Sequence, residues 1–160
     1  MKKTGLFLFL FIHLQVFAQQ DTLYKKYPDL PEFTAIKAPD SSLFNSQTIK
    51  KKGPVVILFF SPDCDHCKKE MKEILAYRQE LKNIRFLMVS PLELKYLDVF
   101  YEDYGISSMP NITMLWDRTY YLGTFYKPRM FPAAYLYKNG IYLRSFIGNF
   151  SPTDLIEAFN

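Results

Sequence analysis

Val55-Val56-Ile57-Leu58-Phe59-Phe60-Ser61-Pro62-Asp63-Cys64-Asp65-His66-Cys67 decides the fold. Its first six residues are apolar without a break and β-branched at the start, the pattern of a strand buried on both faces. Lys68 to Leu81 then reads as a helix. Cys67, Met71, Ile74, Leu75 and Leu81 fall on one side of it, and Lys68, Lys69, Lys72 and Glu73 on the other. The paired carboxylates Glu70 and Glu73 are expected on the solvated face. Both cysteines of the chain therefore stand at a strand-to-helix turn, where the positive end of the helix dipole favours a thiolate.

A C-x-x-C pair in that setting reads as a redox dithiol. A structural zinc site would need four ligands, and outside this stretch the one other histidine is His13. Covalent haem attachment would want histidine directly after the second cysteine; that residue is Lys68. An inert disulfide closing so short a loop would stabilise little, because the entropic gain grows with loop length. No metal and no cofactor beyond a Cys64–Cys67 disulfide is expected.

The 160 residues suffice for one domain with a core. Residues 1–18 read as a secretory signal peptide: Lys2 and Lys3, the apolar Leu6 to Ile12, then Val16-Phe17-Ala18. The apolar run is broken by His13 and Gln15 and is short for a membrane span. The mature chain is expected to begin near Gln19, with a flexible leader at 19–26 and the folded domain at 27–160. Export places the pair in a compartment that permits disulfides. Loss of Lys2 and Lys3 lowers the formal charge from +4 to +2, too small an excess to argue for nucleic acid. Lys50-Lys51-Lys52 reads as a solvated loop.

Phe33 to Ile36 is expected as an edge strand, and Asp40 to Lys52 as a loop with one helical turn. Beyond the first helix, Ile84 to Ser90 reads as a strand, Leu92 to Tyr104 as a helix stopped by Gly105, and Asn111 to Trp116 as a short strand. Asp117 to Tyr126 is read as a helix interrupted by Gly123. Ala133 to Tyr137 and Ile141 to Ile147 flank Asn139-Gly140, a hairpin signal. Ser151-Pro152 opens the last helix. Alternating strands and helices followed by a hairpin give an α/β fold, a mixed sheet with helices on both faces.

The stretch Val55 to Cys67, together with Phe131-Pro132-Ala133-Ala134-Tyr135-Leu136-Tyr137-Lys138-Asn139-Gly140, resembles a thioredoxin-fold protein. With an exported chain and a proline-rich lead-in, it is most similar to the TlpA/ResA-like thiol–disulfide oxidoreductases of bacterial envelopes. The resemblance covers roughly Tyr27 to Asn160. It implies an enzyme in the periplasm or cell envelope that exchanges disulfides with polypeptide partners, as a reductant supplied by a membrane electron donor. Cys64 would be the attacking nucleophile and Cys67 the resolving thiol. Pro132 would be cis beside the dithiol, with Phe131 in the substrate-binding loop; Pro110 is the rival for the cis position. His66, when protonated, would favour the Cys64 thiolate, whereas Asp63 and Asp65 oppose it.

Two positions depart from thioredoxins: Asp63 stands where they carry tryptophan, and Leu58 where they carry a buried acid. The resemblance thus leaves Cys67 without a proton acceptor. Two other readings stay open. A peroxiredoxin-like peroxidase would keep Ser61 at its hydroxyl position but has Ile57 in place of its proline. A binding module with an inert disulfide would use Tyr120, Tyr121, Phe125, Tyr126 and Phe131 as an aromatic surface; the alternative for those residues is core.

Overall fold

The structure, a computed structural model, describes residues 22–49 and 52–160. The signal segment 1–18 and Lys50-Lys51 lie outside the described residues. In chain order the elements are α1 (Leu23–Lys26), β1 (Thr34–Ala38), β2 (Leu43–Asn45), β3 (Pro54–Phe59), α2 (Asp65–Ala76), β4 (Arg85–Ser90) and α3 (Leu94–Asp103). Then follow β5 (Ile112–Trp116), α4 (Tyr121–Tyr126), β6 (Ala133–Lys138), β7 (Ile141–Ile147) and α5 (Pro152–Phe159).

Seven strands form one mixed sheet in the order β2-β1-β5-β4-β3-β6-β7. The apolar run makes β3 the spine. Val56 pairs with Phe86 in parallel β4 and with Leu136 in antiparallel β6. Side chains alternate across the pleat, so Val56 and Leu58 pack against α2, α3 and α5 through Met71, Ile74, Leu97, Phe100 and Leu155. Val55, Ile57 and Phe59 pack on the other face with Tyr24 of α1 and Leu122, Phe125 and Tyr126 of α4. Both faces being covered is why the run lacks polar alternation.

The hairpin turns where expected. Asn139 and Gly140 both have positive φ (56° and 81°), the geometry of a two-residue turn that matches strand twist. Asn139 also accepts a hydrogen bond from the Gly53 N–H at 3.1 Å, tying the hairpin to the start of β3. The last helix starts on a capping box: Ser151 Oγ accepts from the Asp154 N–H, and Asp154 Oδ2 accepts from the Ser151 N–H.

Several expectations are corrected. β1 is not an edge strand; it lies between β2 and β5. The edge on that side is β2, a short half-buried strand in what reads as loop, because its pairing partner is β1 rather than a local turn. The leader is not wholly flexible. Tyr24 in α1 is buried and rests on Tyr126, Tyr135 and Tyr142 with ring centroids 5.7, 4.9 and 5.1 Å away. Helix α2 begins at Asp65 and ends at Ala76, beyond which turns carry the chain to the buried Leu81. Helix α4 runs through Gly123, whose N–H donates to Asp117 Oδ2 at 2.9 Å. Among the described residues two X-Pro bonds are cis, Ala38–Pro39 and Phe131–Pro132; Pro110 is not one of them.

Candidate active site

Cys64 is the N-cap of α2. Its Sγ accepts a hydrogen bond from the backbone N–H of Cys67 at 3.3 Å, one of the donors a helix start leaves unpaired. A thiolate at this atom would face the N–H groups and the positive end of the helix. The same Sγ lies 3.9 Å from the carbonyl oxygen of Phe131, so the cis Phe131–Pro132 step closes over the dithiol. Pro132 is buried, and its carbonyl accepts from the Gly148 N–H at 2.9 Å, fixing the step against the end of β7. Both cysteines are free thiols, Cys64 half-buried and Cys67 only 3% exposed.

The two sulfurs live in different media. Burial pushes the Cys67 thiol up to about 12, and its hydrogen bond to Cys64 adds to the effect. Cys64, at the surface end of the pair, is the sulfur a partner can reach. Asp63 is exposed, and its Oδ1 accepts from the Ser61 hydroxyl within the turn. Asp65 and His66 are exposed on the first turn of α2, and Asp65 pairs with Lys68 at 3.5 Å. Cys64, Cys67, Phe131 and Pro132 are thus brought together, while Asp63, Asp65 and His66 rim them.

One residue of the site was misread from sequence. Glu70 is not solvated: it is 5% exposed, and its Oε1 has no hydrogen-bond partner. Burial, reinforced by Glu73, raises its carboxyl to about 8, with the Phe150 backbone N–H pulling the other way. Its negative form would in turn raise Cys67, one helical turn back on the same face. The signal was present in the spacing, since Glu70 lies three residues after Cys67 and four before the buried Ile74. What hid it comes from the far end of the chain: Phe150 and Leu155 join Met71 and Ile74 of α2 in one buried cluster, and Asp154 acts on the carboxyl through its charge.

The aromatic residues divide the other way from a binding surface. Tyr126 and Phe125 are core, and Phe131 is half-buried against both core clusters; Tyr120 and Tyr121 alone of the five are exposed.

A seven-stranded mixed sheet with helices on both faces, carrying a C-x-x-C pair at the N-terminus of the helix after the buried strand β3, defines a thioredoxin-fold thiol–disulfide oxidoreductase. The thioredoxin family model matches residues 35–123, and the chain belongs to that family. Among solved structures it is similar to a secreted Mycobacterium tuberculosis disulfide oxidoreductase homologous to E. coli DsbE. That match has 20% identity and a TM-score of 0.64, and covers 79% of this chain and 93% of the other. A thioredoxin-family thiol:disulfide interchange protein from Chlorobium tepidum matches with 15% identity and a TM-score of 0.68, over 82% and 93%. A Plasmodium vivax 2-Cys peroxiredoxin shares the fold at 19% identity and a TM-score of 0.64, over 80% and 76%. No curated protein matches the sequence at a significant level.

Proposed function

We propose that the chain is an exported reductase of polypeptide disulfides, working in the periplasm or cell envelope and re-reduced by a dithiol donor at the membrane. The observation that carries the exchange chemistry is the asymmetry of the pair. Cys64 is reachable and caps a helix, whereas Cys67 is buried with a raised thiol, one helical turn from an acid that burial raises to about 8.

In this reading the Cys64 thiolate attacks one sulfur of a client disulfide. A Cys64–client bond forms, the client S–S bond breaks, and the first client thiol departs with a proton. Cys67 must next lose its own proton. Glu70, in its ionised form, takes that proton, and a group titrating near the working pH suits both directions of such a transfer. The Cys67 thiolate then attacks Cys64 Sγ, the Cys64–Cys67 bond forms, the Cys64–client bond breaks, and the second client thiol leaves with the proton that Glu70 held. The client gains two electrons and the dithiol loses two. Phe131 and Pro132 shape the client side of the cleft, and Asp63, Asp65 and His66 modulate the charge at Cys64. No resident cofactor other than the cysteine pair takes part.

The test is trapping. Cys67→Ser should accumulate a mixed disulfide between Cys64 and a client polypeptide, and Cys64→Ser should abolish exchange altogether. Exchange that survives Cys64→Ser refutes the reading. Equilibration against glutathione should place the pair at or below about −220 mV; a value approaching roughly −120 mV would make it an oxidant instead.

A further inference from the structure

We propose that the groove between the dithiol turn and α3 selects client segments that place an apolar side chain and a basic residue next to the attacked cysteine. The proposal rests on the oxidoreductase reading and gives it a substrate class. Tyr96, Val99, Phe100 and Asp103 form one stripe of α3, at the i, i+3, i+4, i+7 spacing of a single helix face. That stripe faces Pro62 and Asp63 across a groove of about 400 Å³. Buried Phe100 forms its floor, stacked on Tyr104 at 4.3 Å, while Val99 stands 61% exposed on the wall. Val99 and the exposed Tyr96 together leave apolar surface on this wall for a partner to cover.

The charge of the groove is of one sign. Its two charged lining residues are Asp63 and Asp103, one at each side. The neighbouring cations are already matched: Lys95 pairs with Glu93 at 3.3 Å and lies over the Tyr96 ring, and Lys68 pairs with Asp65. Asp63 directly precedes Cys64, so a client residue that reaches Asp63 stands next to the residue that carries the attacking sulfur. An aliphatic side chain against Val99 and Phe100, with lysine or arginine between the carboxylates, meets both requirements. Acidic segments would bring like charges together in a partly desolvated space.

The experiment uses the reduced protein and two peptides, each with its single cysteine held as a mixed disulfide with thionitrobenzoate. The peptides differ in one residue, Cys-Leu-Arg against Cys-Leu-Glu. Cys64 attacks the peptide sulfur, a Cys64–peptide bond forms, and the coloured thiolate leaves with the electron pair of the broken bond. Each rate is divided by that of free dithiothreitol on the same peptide, which removes intrinsic differences in reactivity. The arginine peptide should react about fivefold to tenfold faster at low salt, the ratio shrinking as ionic strength rises. Asp103→Asn should reduce the ratio, and Val99→Lys, a change at an exposed helix position, should invert it. A wild-type ratio within about twofold of unity, or a preference that survives both substitutions, overturns the groove assignment. The mixed disulfide of 2-mercaptoethanol with the same chromophore separates the two levels. Failure to react even with that small probe would overturn the oxidoreductase reading as well.

Discussion

Replacing Glu70 by glutamine should stabilise the reduced protein more and more as pH rises. The carboxyl goes from 4.5 in an unfolded chain to about 8 in the fold, chiefly through burial. Each unit of displacement corresponds to about 1.4 kcal/mol. Between these two values the native state holds a proton that the unfolded state has released. Stability from this group is therefore complete below about pH 4.5, falls by roughly 1.4 kcal/mol per pH unit, and is lost above about pH 8. The total is about 5 kcal/mol, an upper figure because water can relax around the carboxylate. Cys67 does not intrude on the window, since its thiol is displaced from 9.0 upward to about 12. Urea unfolding of wild type and Glu70→Gln at pH 5.5, 6.5, 7.5 and 8.5 (assay settings on the order of the window above) gives the difference directly. It should grow by about 3 kcal/mol across the series. A difference that stays flat would mean that Glu70 ionises as a surface acid. The same variant should slow resolution of the Cys64–client mixed disulfide by about a hundredfold, the usual size of a lost general base. A flat stability profile would remove the ground for that second expectation too.

Two further predictions concern the scaffold that holds the site. Tyr137→Phe removes the partner of the buried Tyr126 hydroxyl, which lies 2.7 Å away. Leaving that hydroxyl unpaired should cost about 1–3 kcal/mol in denaturant unfolding, without altering the reactivity of Cys64. Ser151→Ala removes the side-chain half of the capping box at α5 and should cost about 1 kcal/mol. Hydrogen exchange should report that loss first in Asp154 and Leu155, whose N–H groups bond back to Ser151.

Much of the fold was legible because it is written in short-range pattern. Val55 to Phe60 carries no polar residue, so it had to be a strand covered on both faces. Cys64 to Cys67, followed by a helical stripe, located the dithiol at a helix start; Asn139-Gly140 located the hairpin; Ser151-Pro152 located α5. In each case the deciding interactions join residues within about four positions of one another or one turn of hairpin.

The tertiary structure alone decided which flank of each element would be covered. Helical spacing put Glu70 beside Cys67, but whether that flank met water depended on Phe150 and Leu155 packing with α2 from the far end of the chain. Composition made residues 19–26 look like a leader, yet Tyr24 finds three tyrosines contributed by α4, β6 and β7. The inner place of β1 was set by pairing with β5, and the acidic groove exists because α3 lies across from Pro62 and Asp63. Secondary structure follows from local spacing, whereas desolvation of a carboxyl or the facing of two carboxylates is a property of segments brought together from distant parts of the chain. Those juxtapositions carry the proton transfer and client selection proposed here.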